Sequence, residues 1–86
     1  MIKQIKKVIS ELELKSNESF SAFSDYIENM REKGNFELLN NAVSRKFGFD
    51  YYSYKGITIA DYKKIVYNGF KNNGRLGIES VIRKAI

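Results

Sequence analysis

At 86 residues the chain has room for one domain, and a domain this small keeps a thin stability margin because it buries a modest share of its surface. It contains no cysteine and no histidine, which removes disulfide staples, thiolate or imidazole metal sites and the commonest acid–base and nucleophilic groups. A hydrophobic fraction of 43% excludes wholesale disorder, and the formal charge of +5 is unevenly placed.

Residues 1–44 hold six Lys and Arg against seven Asp and Glu, a net of −1, while residues 45–86 hold nine against three, a net of +6. Eight of the twelve Phe and Tyr residues lie in the same basic half. A one-sided positive field attracts polyanions or an acidic protein face.

In chain order, Ile2, Ile5, Val8, Ile9 and Leu12 recur at helical spacing and predict a first amphipathic helix. Charges scattered through residues 1–14 argue against a signal peptide, and no stretch approaches the ~20 apolar residues of a membrane span. A cytoplasmic location without membrane attachment is therefore expected. Lys3, Lys6 and Lys7 crowd the positive end of this helix, and Glu11 and Glu13 its negative end, so both groups oppose the macrodipole. A partner could hold such an arrangement in place, and a homodimer is one way for so small a chain to add buried area. An anionic membrane would also attract the lysines, but the two glutamates oppose it.

Ser16 and Asn17 read as caps for a second helix with the stripe Phe20, Phe23, Ile27 and Met30. Past Gly34, a third helix carries Phe36, Leu39, Val43 and Phe47, although Lys46 projects toward the apolar side and points to an earlier end. Residues 47–59 break the helical pattern with aromatic and β-branched residues, an irregular connection with short-hairpin character. The fourth helix has a clear start: Thr58 as cap, Asp61 three residues on, and Ile57 placed to staple onto Tyr62. Its face is Ile59, Tyr62, Ile65, Val66 and Phe70, with a stop at Asn68-Gly69 or at Asn73-Gly74. A last helix is expected over about 76–85. The predicted fold is all-α: one domain, a bundle of four to five short helices.

Chemistry would have to run on carboxylates, Lys, Tyr or Ser. Glu28 and Glu32 share a helical face, but Arg31 and Lys33 nearby suit them for ordinary surface pairing. No enzyme activity, cofactor or metal is expected.

Three features point to nucleic acid. Helical projection places Glu37, Asn40, Asn41, Ser44 and Arg45 on one polar arc of the third helix, which the Lys33-Gly34-Asn35 link joins to the second in helix-turn-helix order. Asn and Arg can read adenine and guanine edges, whereas Glu37 would repel phosphate. Tyr51, Tyr52 and Tyr54 stand between Arg45, Lys46 and Lys55, and bases stack on exposed rings. The same rings could instead cap the small core. Lys63, Lys64, Lys71 and Arg75 extend the basic surface. Gly74-Arg75-Leu76-Gly77 and the helix after it resemble the GXXG loop of KH domains over about ten residues. The chain has no strands for a KH sheet, so the segment reads as an interhelical turn.

The expected function is non-enzymatic binding of DNA or RNA through the basic, tyrosine-rich half. The alternative is an adaptor or inhibitor docked on an acidic or nucleic-acid-binding face of a larger protein. Small Cys-free chains rich in Lys, Asn and Ile resemble, in composition alone, the counter-defence proteins of phages of AT-rich bacteria.

Overall fold

The helical stripes become four α-helices in the computed structural model, which describes residues 2–72. They are α1 (Ile2–Ser16), α2 (Phe20–Glu32), α3 (Phe36–Phe47) and α4 (Ile59–Lys71). A 3-10 turn, Tyr51–Ser53, lies between α3 and α4, and there is no strand among the described residues. The expected helix over 76–85, the turn around Gly74 and Arg75 itself lie outside the described residues.

Local chemistry sets the helix ends, and twice differs from the sequence expectation. Ser19 caps α2, its hydroxyl accepting the Ala22 N–H at 3.2 Å. Ser16 instead closes α1 and donates to the Glu13 carbonyl at 2.6 Å. The end of α2 is a Schellman turn: Gly34, at φ 78°, donates to the Arg31 carbonyl, and Asn35 donates to that of Met30 at 2.8 Å. Lys46 does not end α3. The helix continues to Phe47, and Gly48 stops it in the left-handed region, its N–H bonded to the Ser44 carbonyl. Lys46 is tolerated because its exposed ammonium reaches Glu13 of α1 at 3.4 Å.

Thr58 caps α4 as expected, accepting the Asp61 N–H at 3.1 Å. The helix runs past Gly69 to an Asn72 cap because Phe70, just beyond the glycine, packs edge-on against Phe47 and tilts onto Phe23.

Side-chain contacts fix the helix directions. Phe36 and Asn40, early in α3, meet Tyr62, early in α4, while Phe47 and Phe70 meet at the far ends. The two helices therefore run the same way. α2 runs opposite to α4, since Phe20 and Phe23 pack on Tyr67 while Glu28 reaches Lys63. α1 packs against all three other helices.

The core between them holds Leu12, Phe23, Ile27, Leu39, Val43, Phe49, Tyr62, Ile65 and Val66, all fully buried. Each side chain of this size contributes roughly 1.5–3 kcal/mol on burial, which is how a chain without staples holds together. Ile2, at the edge of the α1 stripe, is not part of it and stays exposed.

The hairpin character expected of residues 47–59 is absent. Phe49 plugs the core, and Asp50 caps the 3-10 turn, accepting the Tyr52 N–H at 3.4 Å and the Ser53 hydroxyl at 3.0 Å. One carboxylate thus takes the Tyr52 N–H, a backbone donor that a strand partner would have bonded.

Candidate nucleic-acid interface

Of the α3 arc, Asn41 and Arg45 point to solvent and Ser44 is half-buried. Asn40 is not on the exposed arc. Only 4% of its surface is accessible, and it ties three segments together. Its amide donates to Asp50 Oδ1 at 2.6 Å, and its Oδ1 accepts the Tyr51 N–H at 3.0 Å and the Tyr62 hydroxyl at 3.1 Å. The amide therefore fastens the 3-10 turn and α4 to α3, and it has no spare face for a base. The bond from Asn40, with those from Ser53 and the Tyr52 N–H, holds the Asp50 carboxyl below its ordinary value of 3.8. Burial foremost pushes the Tyr62 phenol well above its ordinary value of 10.0.

The tyrosines divide accordingly. Tyr51 is half-buried, its ring edge-on to Phe36 and Tyr62. Tyr54 is half-buried against Phe49. Tyr52 is 60% exposed, yet its ring is steadied by edge contacts with Phe36 and Tyr51. It is the ring of the three that can offer a face to a partner.

The lysines divide too. Lys63 is only 12% exposed in its side chain, and its ammonium lies 2.6 Å from Glu28. Glu28 also receives Arg31 in a forked contact at 2.9 and 3.0 Å. The Lys63 bond, seconded by Arg31, lowers the Glu28 carboxyl from its ordinary 4.5. Lys63 is thus a strut between α4 and α2, not an open phosphate ligand. Lys64 and Lys71 are exposed on the outer side of α4, about 10.5 Å apart along the helix. Lys71 also lies over the Tyr67 ring at 5.4 Å, and Lys55 is exposed at the Gly56 turn.

An open cleft of about 530 Å³ lies where α1, α3 and α4 end together, walled by Phe47, Gly69, Phe70 and Ser16. Its charged groups, Glu13 and Lys46, pair with each other. Among the described residues no cluster of three potential metal ligands occurs, and no helix is long and apolar enough to cross a membrane.

The buried role of Asn40 was missed by projecting α3 as two separate arcs. The signal was present: Phe36, Asn40, Val43 and Phe47 follow one another at steps of four, three and four, the spacing of a core-facing stripe.

Comparison of the chain with protein families, curated proteins and solved structures finds no match.

Proposed function

We propose that this protein is a non-catalytic nucleic-acid-binding domain. Its contact residues are Asn41 and Arg45 on α3, Lys55 and the Tyr52 ring in the connection, and Lys64 and Lys71 on α4. What supports this reading is how the fold divides its charge. Glu28 is occupied by two cations, and Asp50 is turned onto Asn40, Ser53 and the 3-10 turn. Arg45, Lys55, Lys64 and Lys71 stay exposed, with no ion-pair partner among the described residues. These four cations keep an outward positive field on the second half even after Lys46 and Lys63 are taken up by Glu13 and Glu28 of the first, which favours a polyanion.

Fluorescence anisotropy with labelled duplex and single-stranded probes over a salt series tests this. Affinity is expected to fall steeply with salt, and Lys64→Gln with Lys71→Gln is expected to flatten the slope by about one unit per true phosphate contact. Lys63→Gln, which unseats Glu28, is expected to lower stability and leave the slope unchanged. Absence of binding to every probe at low salt would overturn the reading in favour of a protein partner. That second reading draws on Tyr52, because an exposed ring held by neighbours is also the geometry of a protein-interface anchor.

A further inference from the structure

The outer side of α1 carries a pattern that nucleic-acid contact does not use. Ile2 and Leu14 are 53% and 65% exposed, the only aliphatic side chains among the large hydrophobics left in solvent among the described residues. Between them lie Lys3, Lys6, Lys7, Ser10 and Glu13, all exposed. The three lysines have no ion-pair partner among the described residues, and all sit near the positive end of the helix dipole. Glu13 and Glu18 stand toward its negative end, held only by exposed pairs with Lys46 at 3.4 Å and Lys15 at 3.5 Å. Exposed pairs of this kind stabilise little and can be shared with further cations.

Whatever covers this face must be acidic opposite residues 3–7, basic opposite Glu13, and apolar at both ends. A nucleic acid or an anionic bilayer meets the lysines but places phosphate against Glu13. The same helix running in reverse sets Glu13 toward the lysines and lysines toward Glu13.

We propose that α1 is a self-association surface, on which two copies of this chain pack their α1 helices antiparallel about a two-fold axis level with Val8. In that register Lys3 comes level with Glu13 of the second copy and Lys6 lies within one turn of the same Glu13, while Ile2 and Leu14, about 120° apart around the helix, flank the seam on opposite sides. Symmetry makes each contact twice, because a two-fold interface uses one patch on both sides. The lysines then gain carboxylates that offset the unfavourable dipole at their own helix end. A single pair of helices this short covers less than the ~1,200 Å² of total area typical of stable complexes, so the dimer is weak and concentration-dependent.

Sedimentation equilibrium of the full chain from micromolar to millimolar concentration tests the proposal. The average mass is expected to rise from 10.0 kDa toward twice that value. Leu14→Ser is expected to weaken dimerisation about tenfold or more, since it removes the same anchor from both sides. A chain with Lys3→Glu and Lys6→Glu, and another with Glu13→Lys, should each self-associate less than the natural chain, while an equimolar mixture of the two recovers dimers. These are exposed positions, and circular dichroism of each variant checks that its fold is kept. The proposal is overturned by a natural chain of monomer mass at millimolar concentration, by charge-reversed chains that dimerise undiminished, or by a mixture that recovers nothing.

Discussion

Replacing Asn40 by Ala tests whether this residue belongs to the core or to a binding surface. The substitution removes three hydrogen bonds at once, to Asp50, to the Tyr51 N–H and to the Tyr62 hydroxyl. The Tyr62 hydroxyl has no other partner among the described residues, and its residue is fully buried. Stranding one buried donor costs about 1–3 kcal/mol, and each further bond lost adds ~1 kcal/mol net. The Tyr51 N–H lies nearer solvent and recovers part of its loss from water, so the expected total is ~2–4 kcal/mol. For a domain of this size each kcal/mol lowers the melting temperature by about 4–8 °C, so a drop of ~8–32 °C is expected. Tyr62→Phe should lose only ~1 kcal/mol, because the Asn40 oxygen keeps the Tyr51 N–H. With both changes in one chain, the total should fall short of the sum, since no phenol is then left stranded. Urea and thermal melts followed by circular dichroism read all three values. An Asn40→Ala chain as stable as its parent, with nucleic-acid affinity lost, would sink this reasoning and return Asn40 to the binding face.

Acid should unfold the domain through carboxylates whose folded-state affinity for protons is reduced. Asp50 and Glu28 both titrate below their ordinary values of 3.8 and 4.5, so their stabilisation is whole above those values and is lost as pH falls through the lower folded ones. Asp50→Asn with Glu28→Gln should flatten the acid limb of a melting-temperature profile, and an unchanged limb would contradict the assignment. Tyr52→Ala should weaken partner binding by ~1–3 kcal/mol while leaving the melt nearly unchanged, whereas Tyr51→Ala and Tyr54→Ala should lower the melting temperature, since their rings pack on Tyr62 and Phe49. If Tyr52→Ala destabilises as much as the other two, its ring is part of the core. Gly34→Ala should lower stability by about 1–2 kcal/mol from the left-handed backbone alone, because nothing lies within 4 Å of the added methyl to clash with it. A neutral result in a denaturant melt would mean that the Schellman turn is not held as described.

The sequence by itself determined the helices, because each apolar stripe has the period of one buried helical face and each link carries its own stop or start. Gly34 and Gly48 end their helices through backbone freedom, and Thr58 begins α4 through one hydroxyl; these are events within a few residues of one another and are written locally. The sequence also determined the uneven charge. Only the tertiary structure decided which polar residues remain available to a partner. Asn40 and Asn41 are adjacent and chemically identical, yet one is sealed beneath Tyr51 and Tyr62 and the other faces water. Lys63 and Lys64 differ only by the 100° that points the first at Glu28 of another helix. Residues 47–59 form the expected irregular connection without its hairpin character for the same reason, since Asp50 found its partner in Asn40, ten residues back on α3. Local pattern reports the face on which a side chain lies; its partners come from the elements that pack beside it, and desolvation then sets whether it is structural or free to bind.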